Sequence, residues 1–88
     1  MFELLVDDIV AVSTPGIALR VRVAAGTLRL GDRVTTAQGP GQAAGAVDLE
    51  VRHLSRNDTD VDLLAHGTSG LVTLVGQYGD VGPGFRLR

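Results

Sequence analysis

The chain has no cysteine, no lysine and no tryptophan, and its only aromatic residues are two phenylalanines and one tyrosine in 88 positions. Without cysteine there is no disulfide, no thiolate metal site and no cysteine nucleophile. Without lysine there is no P-loop GxxxxGK[ST], which rules out nucleotide hydrolysis by that motif. The near absence of aromatics removes most of the stacking platforms that single-stranded nucleic-acid readers use, leaving Tyr78 and Phe85. Uncharged runs such as Gly67 to Gly79 are broken by glycines and polar residues and are too short for a membrane span. The Met1 end carries Glu3, Asp7 and Asp8 and no basic n-region, so it does not read as a signal peptide, and a cytoplasmic location is expected.

What remains is a chain of small branched residues. The apolar share is 44%, mostly Val, Leu and Ala, which pack well on pleated faces. A chain this short is one domain, 1–88, and needs a tightly patterned core. All eight cations are arginine, as GC-rich coding would favour, and the formal net charge is −2, so any nucleic-acid footprint must be local.

The organising stretch runs from Gly16 to Val34. Ile17, Leu19, Val21 and Val23 share one parity, while Ala18, Arg20, Arg22 and Ala24 share the other, the mark of a strand with one buried face. Gly26 ends it, and Leu28 and Leu30 are expected to tuck beneath the sheet before a Gly31–Asp32 turn and a strand from Val34 to Ala37. Upstream, Phe2 to Val12 reads as a strand with a bulge at Asp7–Asp8, followed by a turn over Ser13-Thr14-Pro15-Gly16.

Downstream, Gln38 to Gly45 reads as a mobile, glycine-rich loop. Ala46 to Leu54 alternates again, with Val47, Leu49 and Val51 inward, and a bulge is expected to turn His53 out and Leu54 in. Asp58, Asp60 and Asp62 mimic a calcium loop, but its sixth and twelfth positions hold Leu63 and Ser69 instead of Gly and Glu, so Ser55 to Asp62 reads as an acidic turn region. A buried strand at Leu71 to Val75 and a last short strand at Gly84 to Arg88 complete six or seven short strands and no helix, whose closure buries the edges. The expected fold is therefore an all-β, small closed antiparallel barrel.

At this point a resemblance enters. The run G-x-x-x-x-x-R-V-x-x-G-T-L-x-x-G-D-x-V, here Gly16, Arg22, Val23, Gly26, Thr27, Leu28, Gly31, Asp32 and Val34, resembles the second domain of translation GTPases. That domain is the β-barrel following the GTP-binding domain in elongation factor Tu and its relatives. His66-Gly67-Thr68-Ser69 sits where the family has Ala-Gly-Asp-Asn, Gly76 where its Leu-Arg-Gly ends, and Asp80-Val81-Gly82-Pro83-Gly84 at the entry to the closing strand. Val21 replaces a family Gly and Val75 an Arg. The resemblance implies a barrel that contacts tRNA or ribosomal RNA, either as a stand-alone chain, which the Met1 start favours, or as one domain of a larger GTPase.

No catalytic constellation accompanies it. His53 and His66 lack metal or triad spacing, and Gly67-Thr68-Ser69-Gly70 lacks the GxSxG elbow, so neither an enzyme nor a cofactor is expected. Gly16, Gly26, Gly31, Asp32 and Gly84 are expected to shape turns. Arg20 and Arg22 are the candidate phosphate contacts, joined by Arg52 and Arg56 if their strands pair. Against these, Asp48 and Glu50 share the Arg52 face and offer cross-strand ion pairs instead. A protein partner, or a homodimer formed through an exposed edge strand, is the other expectation.

Overall fold

A computed structural model of the chain describes residues 1–13, 16–77 and 81–88, in which every element is a strand. In chain order these are β1 (Phe2–Ser13), β2 (Gly16–Gly26), β3 (Leu28–Arg29), β4 (Arg33–Gln38), β5 (Gly45–Arg56), β6 (Thr59–Asp60), β7 (Leu63–Leu64), β8 (Ser69–Gln77) and β9 (Arg86–Leu87). The sheet runs β4-β9-β1-β2-β8-β5, and β4 also pairs with β5, so six antiparallel strands close on themselves. β6 adds an extra strand outside β5, and β3 and β7 form a separate two-stranded ribbon.

The closed barrel matches the fold expected from the sequence, but the strands are not all short. β1 and β5 have 12 residues each, β2 has 11 and β8 has 9. Bulges let strands of this length wrap round a small core. β1 shifts register against β2 at Asp7, as the paired aspartates predicted, and again at Val10. β5 shifts against β8 between Val51 and His53, which leaves Leu54 buried and His53 exposed.

The interior follows the period-2 pattern. Leu19, Val72 and Leu54 stand in register across β2, β8 and β5, all with 0% exposure. Leu28 lies opposite Leu64 in the β3–β7 ribbon, and both are buried in the same core cluster. Leu30 does not follow Leu28 inward and is 44% exposed. The ribbon is only two residues deep, and by Leu30 the chain has entered the turn, its amide donating to the Asp62 carbonyl at 3.1 Å.

The turns are made by specific residues. Gly26 has φ of 71°, and a Cβ there would lie 1.9 Å from the Met1 carbonyl oxygen, so neither the conformation nor the space admits a side chain. Gly31 and Gly84 also have positive φ, whereas Gly16 sits within β2, paired with Val75, and is constrained by the Leu74 carbonyl beside it. Asp32 accepts the Arg29 amide on Oδ2 at 2.9 Å, and its carbonyl accepts the Val51 amide at 2.9 Å. The expected turn at 13–16 includes Thr14 and Pro15, which lie outside the described residues.

Two segments read as loops contain defined turns. Gly39-Pro40-Gly41-Gln42 closes as a turn, the Gln42 amide donating to the Gly39 carbonyl at 3.1 Å, with Pro40 second and Gly41 third at φ 68°. That is the type II pattern. The Gln38 side-chain amide Nε2 also donates to the Gln42 carbonyl at 3.1 Å, which ties the loop to β4. The acidic segment is a two-residue hairpin: β5 continues to Arg56, Asn57 and Asp58 take φ of 53° and 61°, and β6 returns with Thr59 opposite Arg56. Two consecutive positive φ values give the twist that a tight hairpin needs.

Candidate nucleic-acid interface

Arg20 and Arg22 project outward from β2 because Leu19, Val21 and Val23 take the inward parity. In register, Arg20 stands between Asp8 on β1 and Leu71 on β8, and Arg22 between Leu5 and Ser69. Both side chains are exposed, and among the described residues neither forms an ion pair.

Arg52 and Arg56 do not join them. β8 lies between β2 and β5, so these arginines are not cross-strand neighbours of Arg20 and Arg22, and their strand lies two spacings, about 10 Å along the sheet, from β2. Arg52 falls at the β5 bulge with its Nε 3.0 Å from Glu50 Oε2. Arg56 ends β5 beside the hairpin turn, opposite Thr59.

The register brings other arginines to the β2 face. Leu5 on β1 pairs with Arg22 on one side and with Arg86 on the other, and Arg86 in turn pairs with Gln38 on β4. The outward row is therefore Gln38, Arg86, Leu5, Arg22 and Ser69, with half-buried Leu5 between the two arginines. Arg88 follows one pleat along on the same parity as Arg86, with Leu87 fully buried between them.

Glu3 holds this second pair. Arg86 Nη1 donates to Glu3 Oε1 at 2.9 Å, and Arg88 Nη2 lies 3.6 Å from the same oxygen. The hydrogen bond from Arg86 is the largest influence on the Glu3 carboxyl. With the charges of both guanidiniums it outweighs partial desolvation and holds that group below the usual glutamate range. Beside the pair, an open cleft of about 350 Å³ is walled by the Gly39-Pro40-Gly41 turn, Gln38 and Gly84, with Arg86 and Arg88 along its rim.

Arg86 and Arg88 are the residues the sequence reasoning missed. Their alternation about Leu87 marks them as outward-facing, but their neighbours are fixed by pairings between the two ends of the chain.

The β4–β5 side is arranged differently. Arg33 Nη1 lies 2.8 Å from Asp48 Oδ1, and its Nη2 lies 4.0 Å from Glu50. His53 Nε2 meets Asp60 Oδ1 at 2.9 Å, and His66 is exposed in the turn that follows β7. Among the described residues no group of three or more His, Asp or Glu could hold a metal ion, and no helix is long and apolar enough to cross a membrane. Phe85 is half-buried against the core, which leaves little ring face for stacking, and Tyr78 lies outside the described residues.

No protein-family model matches this sequence, and no curated protein matches it.

Proposed function

We propose that this barrel is a non-catalytic RNA-binding module that docks the sugar–phosphate backbone of tRNA or ribosomal RNA on the outward face of β2, as the resemblance to domain 2 of translation GTPases implies. One observation carries the reading: Arg20 and Arg22 are exposed on one face with no ion-pair partner among the described residues, while Arg33 and Arg52 are held by carboxylates. The closed barrel of six strands is the architecture the resemblance calls for. Backbone contacts of this kind position RNA without reading its sequence, which suits a face with little aromatic surface.

The test is a salt titration of tRNA and ribosomal RNA-fragment binding. Binding at low salt that weakens linearly in log salt is expected, with a shallower slope in Arg20→Ala plus Arg22→Ala. No binding at low salt, or binding unchanged in the double variant, sinks the proposal.

A second reading has its own observation. Beyond Val6, β1 has no backbone partner on the side away from β2 among the described residues, and Val10 and Val12 are 48% and 60% exposed there. Such an edge can add a strand from a protein partner or a second copy, although the register shifts at Asp7 and Val10 twist it and blunt pairing. A dimer that persists on dilution in light scattering, with RNA binding absent, replaces the first reading with this one.

A further inference from the structure

Arg86 and Arg88 lie on the same outer face as Arg22, yet their charge is partly cancelled by one residue, Glu3. The way they are held leaves much of both guanidiniums unused. Both contacts fall on a single carboxylate oxygen, Oε1, so neither arginine makes the two-pronged contact that a guanidinium offers. Arg88 fills its Nη2 with a long contact to Gln38 Oε1 at 3.3 Å. Both side chains are about half exposed, at 51% and 46%, whereas Glu3 is 23% exposed, so the donors are more open to solvent than the acceptor. The cleft against the Gly39-Pro40-Gly41 turn adds room beside the guanidiniums for a group larger than a carboxylate.

We infer that Glu3 is an internal stand-in for phosphate, and that RNA docked on Arg20 and Arg22 extends across Leu5 onto Arg86 and Arg88, displacing Glu3 from them. This rests on the RNA reading and adds to it a second pair of contacts and a built-in competitor. A phosphate presents more acceptor oxygens and more charge than the carboxylate it replaces, so both forks can be filled at once. Glu3 needs only a rotamer change to move, since the β1 backbone stays paired on both sides through Leu4 and Leu5. In the free protein the contact holds the arginines near the outward plane and lowers the field of the face, so weak, adventitious anions are excluded.

The test measures binding of a fluorescein-labelled oligo-uridine to the full chain by anisotropy across a salt series. Glu3→Gln keeps an oxygen for Arg86 to donate to while removing the charge, and thermal unfolding by circular dichroism checks that the variant folds. The expected result is binding about 3- to 10-fold tighter at low salt, with a log–log salt slope close to that of the starting protein, since the same phosphates are contacted once Glu3 is displaced. Adding Arg86→Ala to Glu3→Gln should remove the gain. Compared at about 0.1 M salt, where the Debye length is about 10 Å, Glu50→Gln, a matched loss of charge on the β5 side, should leave binding within about twofold of the starting protein, since Glu50 pairs with Arg33 and Arg52 and with neither Arg86 nor Arg88. Three outcomes overturn the inference while leaving the RNA reading intact, provided Arg20→Ala plus Arg22→Ala still weakens binding. They are Glu3→Gln binding no tighter than the starting protein, Glu50→Gln matching its gain, or Arg86→Ala failing to reverse it. Absence of binding by every variant removes both the inference and the reading beneath it.

Discussion

On the β4–β5 side of the barrel, Arg33 and Arg52 each have a carboxylate within 3.0 Å, while on β2 neither Arg20 nor Arg22 has one among the described residues. The same residue type is neutralised at Arg33 and Arg52 and left bare at Arg20 and Arg22; exposed Arg29 and Arg56 are also unpaired among the described residues, but only Arg20 and Arg22 stand two residues apart on one strand face. Exposed ion pairs add little to folding, so the difference is not chiefly one of stability. Its main consequence is the local field. With a net charge of −2 the chain as a whole repels polyanions, and only a face whose cations are unopposed can attract them. The C-terminal pair falls between these cases, Arg86 on β9 and Arg88 just after it sharing one glutamate.

The strongest way to break this contrast is to reverse the bare face. Arg20→Glu plus Arg22→Glu should reduce RNA binding at low salt by about 100-fold or more, because it replaces two attractions with two repulsions. Anisotropy at a single low salt concentration is sufficient to see it. Retained binding would falsify the assignment of β2 as the docking face.

A finer comparison uses slopes. Arg20→Ala plus Arg22→Ala should flatten the log–log salt dependence by about 0.7 per lost contact with single-stranded RNA, whereas Arg33→Ala plus Arg52→Ala should leave the slope unchanged. Equal slopes for the two double variants would mean that net charge alone, not placement, governs binding.

In stability the order should invert. Arg52→Ala removes the 3.0 Å contact to Glu50, and Arg33→Ala removes the 2.8 Å contact to Asp48 while Arg52 still holds Glu50, so each should cost about 0.2–1 kcal/mol. Arg20→Ala has no such partner to lose and should fall within about 0.5 kcal/mol of the starting protein. Urea unfolding midpoints measure both. A larger loss at Arg20 than at Arg52 would show that the bare face has a structural partner after all, with Asp8 across the strand the first suspect.

Much of this organisation is legible in the sequence, for a physical reason that also marks where legibility ends. The alternation from Ile17 to Val23 is local, so it fixes both the buried face of β2 and the outward direction of Arg20 and Arg22. The broken parity at His53–Leu54 is local too, because an apolar residue out of phase requires a bulge. Strand order is not local. Arg52 and Arg56 share outward placement with Arg20 but are separated from it by β8, a fact no spacing along the chain encodes. Arg86 and Arg22 meet across Leu5 because the two ends of the chain close the barrel, which pattern implies only in outline. The Asn57–Asp58 hairpin was hidden for another reason: both residues accept positive φ, but so many aspartates surround them that the turn reads as a general acidic loop.

The smallest expected effect concerns the intermediate case, the C-terminal pair. The Glu3 carboxyl titrates below its usual range in the folded chain, mainly through the Arg86 hydrogen bond. A group whose folded value is depressed binds its proton more readily when unfolded. Its contribution to stability is therefore complete above the ordinary glutamate value and is lost as pH falls through the folded one. The stability difference between the starting protein and Glu3→Gln should accordingly be flat near neutral pH and shrink as pH drops below about 4.3, the ordinary glutamate value. The loss should be modest, because Arg86 and Arg88 are half exposed and water screens the contact. Urea midpoints taken at successive pH values for both proteins give the difference directly. A difference that grows on acidification has the opposite sign and would mean that Glu3 is held in its protonated form, so that Arg86 and Arg88 belong with the bare arginines of β2 and not between the two classes.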